Sequence, residues 1–197
     1  ENLTGAQTAS DWFDLRNGAS LTGQIDGRGG NDSLDYRDFS TVISVNLPTG
    51  TATNIFGGAA GGLVAGTGGA GDGNSLENVF GGDANDGLVG DQDHNILGDG
   101  FGSDTLDGAA GDDVFRLEPG ASLGGAGASS DVLTDLTGSD TVDFRFAGAG
   151  VTIDMDLKGV AQDVLLGVAL LQNVTLAQTA PQTPFMASPY ESVVGSQ

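Results

Sequence analysis

The chain has 197 residues, a formal net charge of −21 and 35 glycines, with six basic residues, one histidine and no cysteine. This composition excludes a structural zinc site or a cysteine nucleophile, and it argues against nucleic acid, whose binding depends on neutralising phosphate. No apolar run reaches the roughly 20 residues of a membrane helix, so membrane insertion is not expected. Aspartate outnumbers glutamate by 23 to 4, which indicates tight turns, because Asp and Gly both suit them.

The first part of the chain contains one isolated motif and one predicted strand. Gly27–Asp35 reads GRGGNDSLD, and Thr41–Leu47 alternates apolar and polar residues. A period of two is typical of a half-buried strand. Trp12 and Phe13 precede both segments and are interpreted as core or interface residues.

Four consecutive blocks of nine residues follow between Gly81 and Arg116. They read GGDANDGLV, GDQDHNILG, DGFGSDTLD and GAAGDDVFR. Each block predicts a strand of about three residues around its apolar eighth position, followed by a Gly/Asp turn. Two blocks then complete one circuit of about 18 residues, so that every second strand lies in the same sheet. This stacks Leu88 on Leu106 in one sheet and Leu97 on Phe115 in the other.

A longer repeat flanks these blocks. Residues 30–47 align without a gap with residues 138–155, matching Asp32 with Asp140 and Arg37 with Arg145. The two arginines are predicted to pair with neighbouring carboxylates. Related phrases at both ends of the chain, ENLTG and ESVVG, suggest a unit of about 190 residues from a tandem array.

The C-terminal third gives weaker patterns. Val151–Leu157 alternates like a strand, and Val160–Leu171 is either a helix or another buried coil. The proline-containing end is expected to form an extended connector. The predicted division is therefore into N-terminal coils (1–80), the nonapeptide region (81–120), C-terminal coils (121–177) and a connector to a next repeat (178–197).

The four blocks resemble the calcium-binding repeats of RTX, or haemolysin-type, proteins, whose pattern is G-G-x-G-x-D-x-U-x with U a large apolar residue. The resemblance implies an all-β fold, a parallel β-roll or β-solenoid with calcium-binding Gly/Asp turns. Aspartate is short enough to reach an ion from its own turn, and hard oxygen ligands suit Ca²⁺. One departure is Asp99, which stands where the pattern has glycine.

The resemblance also implies which side chains share an ion. Turns on the same edge are two blocks apart, which pairs Asp86 with Asp104 and Asn95 with Asp113. Asp32 and Asp140 match the sixth position without an obvious partner 18 residues away, and they are further candidate metal ligands. The alternative interpretation is that these residues only cap turns by accepting hydrogen bonds from backbone N–H groups. His94 is expected to be an exposed residue and not a ligand.

Charge and motif together predict a chain that folds on binding Ca²⁺. The first hypothesis is a structural or adhesive repeat of a large secreted bacterial protein, exported by type I secretion to the cell surface or extracellular matrix. The second is an accessory module of a secreted enzyme, and the third is an enzyme, which the lack of a catalytic constellation disfavours. The expected partners are neighbouring copies of the same repeat, stacked end to end into filaments, with cell-surface polysaccharide as an open alternative.

Overall fold

The computed structural model describes residues 1–57, 62–63, 76–118, 129–134, 138–146, 153, 162–163, 172–176 and 190–194. All regular structure in these ranges is β-structure, so the predicted all-β class is confirmed. Most strands are two or three residues long, as expected where Gly/Asp turns recur every nine residues. The strands are β1 (Leu3–Thr4), β2 (Trp12–Asp14), β3 (Ile25–Asp26), β4 (Ser33–Asp35), β5 (Ser44–Asn46), β6 (Thr51–Ala52), β7 (Asn78–Phe80), β8 (Gly87–Val89), β9 (Ile96–Gly98), β10 (Thr105–Asp107), β11 (Val114–Arg116), β12 (Ser129–Thr134), β13 (Asp140–Asp143), β14 (Gln162–Asp163), β15 (Gln172–Leu176) and β16 (Tyr190–Val194).

Two sheets of seven strands contain most of these elements. The first, called here the β9 sheet, has the order β16-β13-β11-β9-β7-β4-β2, and the second, the β10 sheet, has the order β14-β15-β12-β10-β8-β5-β6. Strands β1 and β3 form a separate parallel pair. Among the strands named here, every pairing is parallel except β5 with β6 and β14 with β15.

The nonapeptide blocks form the strands that their pattern predicts. Each block gives a three-residue strand centred on position eight, and strands from β7 to β13 alternate between the two sheets. Leu88 lies beside Leu106 on neighbouring strands, and Leu97 lies beside Phe115. The predicted alternation of successive blocks between two parallel sheets is therefore confirmed for these strands.

The core lies between the two sheets and consists of the inward-facing ladders. All of these side chains belong to one hydrophobic cluster, and those named here are fully buried. Burial of each side chain of this size contributes about 1.5–3 kcal/mol. Because a strand of three residues has few hydrogen bonds of its own, burial in these two ladders adds substantially to the cohesion between strands. The ladders are Leu34, Val79, Leu97, Phe115 and Val142 in the β9 sheet, and Val45, Leu88, Leu106, Leu133 and Leu176 in the β10 sheet.

Several predictions outside the blocks have mixed outcomes. The strand predicted at Thr41–Leu47 is present but shorter, as β5. Of Val151–Leu157 only Ile153 is described, and it is not in a strand. The helix predicted as one alternative for Val160–Leu171 is wrong at Gln162–Asp163, which pair with β15 at a sheet edge that offers backbone partners; the rest of that segment lies outside the described residues. Within the predicted connector 178–197, Tyr190–Val194 forms β16 and pairs with β13, and the connector itself stays a prediction.

Candidate metal centre

Polar side chains form two columns, one near the N-terminal ends of the strands of each sheet. In the nonapeptide motifs they occupy position six, immediately before a strand. The others lie immediately before a strand, except Asp131 and Asp140, which lie within β12 and β13. The register of the parallel strands places equivalent residues of neighbouring strands beside one another. The columns are Asp11, Asp32, Glu77, Asn95, Asp113 and Asp140 before the β9 sheet, and Asp86, Asp104 and Asp131 before the β10 sheet.

In the column before the β9 sheet, carboxylate oxygens accept hydrogen bonds from backbone N–H groups at the equivalent position of the neighbouring strand. The Asp113 carboxylate accepts a hydrogen bond from the Asn95 N–H at 2.7 Å, and the Asp140 carboxylate accepts one from the Asp113 N–H at 2.9 Å. Asp32 accepts one from the Asp11 N–H at 2.7 Å. Hydrogen bonds to carboxylates therefore join neighbouring strands, in addition to the backbone hydrogen bonds of the sheet.

The column before the β10 sheet follows the same rule. Asp104 Oδ1 accepts from the Asp86 N–H at 2.6 Å, and Asp131 Oδ1 accepts from the Asp104 N–H at 3.0 Å. Both oxygens of Asp86 are engaged, one by the N–H of Ile43 at 2.9 Å and the other by the N–H of Gly82 at 2.7 Å. Asp86 thus closes its own turn, whereas Asp104 uses only one oxygen in this way.

Three buried carboxylates converge in this second column. Asp99, Asp104 and Asp131 each present an oxygen, and the three oxygens lie within 4.8 Å of one another. The exposed fraction of each residue is 1 % or less. Asp104 Oδ2 has no hydrogen-bond partner among the described residues. A buried polar atom without a partner is costly, and a cation is the partner that suits a carboxylate.

The proton affinities of these groups reflect the same crowding. Burial, followed by the charge of Asp131, raises the pKa of Asp99 well above its usual range. Burial, followed by the charges of Asp131 and Asp86, raises the pKa of Asp104 to about 8. Burial also raises the pKa of Asp86 to about 6. In the absence of a cation, the site therefore holds protons at pH values where exposed aspartates are ionised.

Glycines allow the turns to stack beside this cluster. Gly100 has a φ of +79°, and a Cβ there would collide with the carbonyl oxygen of Gly82, which lies two blocks earlier in the chain. Gly102 has a φ of +155° and meets the carbonyl of Ala84 in the same way. These backbone positions favour glycine because only a residue without a side chain permits both the conformation and the approach.

The residues predicted as ligands are brought together in the predicted pairs. Asp86 contacts Asp104, and Asn95 contacts Asp113, each pair through a backbone N–H and a carboxylate. The Asn95 amide oxygen also accepts from the Asp91 N–H at 2.8 Å, and its nitrogen donates to the Glu77 carbonyl at 3.1 Å. This engagement favours the capping interpretation for Asn95. Ligation of Ca²⁺ by any of the six residues stays a prediction.

The sequence interpretation did not identify the partners of Asp104 and Asp113 on their far sides. Asp131 and Asp140 lie 27 residues further along the chain instead of 18. The local sequence could have identified Asp131, since Ser130-Asp131-Val132-Leu133 repeats the pattern of Ser103-Asp104-Thr105-Leu106. Asp99 was interpreted only as a departure from glycine, although it contributes the third carboxylate.

Other predictions concern the arginines and the histidine. Arg37 contacts Asp35 at 2.7 Å, and Arg145 contacts Asp143, so the two arginines pair with carboxylates as predicted. His94 is exposed and accepts a hydrogen bond from the Asp112 N–H at 2.8 Å. Its predicted place outside the ligand set agrees with this position.

No protein-family model and no curated protein matches the chain. The resemblance to RTX repeats therefore rests on the motif alone and stays a prediction. Among the described residues, no helix has the length and apolar character needed to cross a membrane.

Proposed function

We propose that the chain is a calcium-binding structural or adhesive module of a large secreted bacterial protein, with its coils arranged as a parallel β-roll or β-solenoid. The observation that carries the proposal is the buried cluster of Asp99, Asp104 and Asp131, with one carboxylate oxygen lacking a partner. Alternation of parallel strands between two sheets, with a turn every nine residues, supports the architecture.

The donor set fits a hard cation such as Ca²⁺ better than it fits zinc or copper. Three carboxylates supply hard oxygen ligands, and the chain has no cysteine and a single, exposed histidine. Zinc and copper sites usually contain nitrogen or sulfur, whereas Ca²⁺ takes six to eight oxygens. Asp99, Asp104 and Asp131 would hold the ion, and the ion would neutralise charge that the fold otherwise confines in a buried space.

Binding and folding are coupled in this proposal. Asp99 and Asp104 precede β10, whereas Asp131 lies in β12, 27 residues after Asp104, so the cluster exists only when β10 and β12 are paired. Metal-binding free energy then adds to folding free energy. A module with extracellular affinity, typically about 10⁻⁴–10⁻³ M, would stay loose in the cytoplasm and become rigid outside the cell.

The two edges of the β9 sheet support association between copies. Within the described residues, β2 and β16 are its outermost strands, and each has a neighbour on one side only. An edge strand offers unpaired backbone groups to another chain. Neighbouring copies of the repeat are therefore the proposed partners, stacked end to end, and no catalytic role is proposed.

A calcium titration tests the proposal. Far-UV circular dichroism is recorded from a chelated start, beside isothermal titration calorimetry, for the native chain and Asp99→Asn. The asparagine keeps the oxygen that accepts from the Glu118 N–H at 2.7 Å but removes one charge from the cluster. We expect a calcium-dependent gain of β-structure whose midpoint moves at least about tenfold higher in the variant, because affinity follows the number of charged ligands.

The matched control is Asp38→Asn. This change also removes one aspartate charge, but Asp38 is exposed and its side chain pairs with the exposed Arg16, at 2.6 Å. Its midpoint should equal that of the native chain, since exposed ion pairs contribute little. A β-spectrum that is complete in chelator and indifferent to calcium would refute calcium-dependent folding and leave the aspartates as turn caps.

A further inference from the structure

The outer surface of the β9 sheet has an aromatic platform, formed by Trp12 and Phe80. The two rings stack with centroids 5.2 Å apart and planes inclined by 18°. Phe80 is 6 % exposed, but Trp12 is 53 % exposed. The Phe80 ring lies against Gly98, where a Cβ would come within 2.6 Å of it. Glycine in this strand therefore makes room for the aromatic pair.

The exposed indole is held in one orientation. Its Nε1 donates a hydrogen bond to Asp35 Oδ2 at 3.0 Å. The guanidinium of Arg37, bound to the same carboxylate, lies 5.4 Å from the centroids of both rings. A large apolar ring that is fixed by three contacts and still faces water is typical of a preformed binding surface, because little conformational entropy is lost when a ligand covers it.

A groove of about 290 Å³ adjoins the platform. Its lining includes Trp12 and Phe80 together with the polar residues Ser10, Asn31 and Asn78. Asn78 is 3 % exposed, and its Nδ2 donates to Asn31 Oδ1 at 2.7 Å. Its Oδ1 has no hydrogen-bond partner among the described residues. Because Asn78 lines the groove, this buried oxygen is a candidate acceptor for a donor that enters the groove, such as a hydroxyl group.

The charges around the groove favour a neutral ligand. The charged residues of the groove lining are Asp11 and Arg116, which have opposite signs, and Arg116 also lies 3.5 Å from Asp143. Beside the groove, Arg37 is paired with Asp35. The chain as a whole carries a net charge of −21. A polyanion would therefore meet no excess of positive charge at the groove and would be repelled at longer range.

A flat aromatic face, a hydroxyl-accepting groove and the absence of net positive charge together match the chemistry of a pyranose. A sugar ring with equatorial hydroxyls has an apolar C–H face that covers an aromatic ring, while its hydroxyls bond at the rim. We propose that this groove binds a neutral glucose-type polysaccharide. The inference rests on the proposed extracellular role and assigns that role a ligand class.

The single tryptophan of the chain reports directly on this site. The probe is cellohexaose, titrated into the calcium-saturated protein while the fluorescence of Trp12 is recorded, and hexagalacturonate is the anionic comparison. We expect a saturable change in emission with the neutral sugar and none with the anionic one. Calorimetry on Trp12→Ala should show binding weakened by about tenfold or more, because aromatic anchors dominate such contacts.

Two variants separate stacking from loss of structure. Trp12→Phe keeps an aromatic face and should retain weakened binding. Phe56→Ala removes another exposed aromatic, 66 % accessible and outside the groove lining, and should bind like the native chain. Far-UV circular dichroism confirms that each variant is folded.

Three results would overturn the inference. These are no binding by a folded native protein, binding of hexagalacturonate alone, and a concentration-dependent change in Trp12 emission without sugar, which would indicate that a second copy covers the groove. The calcium titration on its own tests the proposed function, so sugar binding and calcium-dependent folding can fail independently.

Discussion

Asp104→Asn should shift stability in opposite directions with and without calcium. Asparagine keeps an oxygen that can accept from the Asp86 N–H, a bond of 2.6 Å in the native chain. Its new amide N–H₂ faces the carboxylates of Asp99 and Asp131, which can accept from it. The change therefore preserves the turn and removes one buried negative charge.

The magnitude follows from the pKa of Asp104. Burial and neighbouring charges raise that pKa from 3.8 to about 8. At pH 7.5, keeping this carboxyl in the folded state without a cation costs at most about 5 kcal/mol relative to the unfolded chain, at 1.36 kcal/mol per pH unit. Because neighbouring groups adjust, we expect the variant to raise the free energy of unfolding in chelator by about 2–5 kcal/mol. With calcium, the loss of a ligand should weaken binding at least about tenfold.

Far-UV circular dichroism measures both effects, as the fraction of β-structure that each chain retains in chelator and as the urea midpoint in 10-fold steps of calcium up to about 10 mM, a range that covers extracellular sites. Asp38→Asn again controls for total charge. If the variant is less stable than the native chain in chelator as well as in calcium, Asp104 acts as a turn cap and the argument from a crowded carboxylate cluster is refuted.

Three further predictions concern pH, the core and the turns. Because the folded-state pKa of Asp104 is raised to about 8, its contribution to calcium-free stability is fully present below about pH 4 and is lost as pH rises through 8; the fraction of β-structure retained in chelator should fall between pH 5 and 8, and saturating calcium should reduce this dependence. Leu106→Ala removes a fully buried side chain from the ladder of the β10 sheet and should lower the free energy of unfolding in calcium by about 2–5 kcal/mol; thermal unfolding measures this, and an unchanged midpoint would mean that the two sheets do not share the described core. Gly100→Ala places a Cβ against the Gly82 carbonyl at a φ of +79°, so it should destabilise the chain by about 1–3 kcal/mol, whereas Ala110→Gly in a neighbouring turn should have a smaller effect.

The nonapeptide region was the most predictable part of the fold. Its apolar eighth position faces the core in every block, and that single regularity determines strand position, sheet alternation and the stacking of Leu88 on Leu106. Elsewhere the period is interrupted. Residues 162–163 could not be assigned from sequence, because a short apolar segment suits a helix or a strand equally until a neighbouring strand offers hydrogen bonds.

The type of candidate site, a group of aspartates at the turns, was predicted from the sequence, but two of its three residues were not. Asp104 was identified by its position in the block, and its pairing with Asp86 follows from the 18-residue circuit. Asp131 was missed because an insertion lengthens the spacing to 27 residues. Asp99 was missed because a residue that breaks a motif was interpreted as a loss, whereas its side chain adds a charge to the cluster.

The sequence by itself determined the residue chemistry, namely an acidic, cysteine-free chain with an apolar residue every nine positions and Gly/Asp turns between them. These properties are local, so they follow from the order of residues alone. Tertiary structure decided which carboxylates converge and where Trp12 faces water, because parallel pairing brings together residues that are 18, 27 or more positions apart. The distance between such residues depends on insertions and on the register of whole strands, and neither is encoded within a single block.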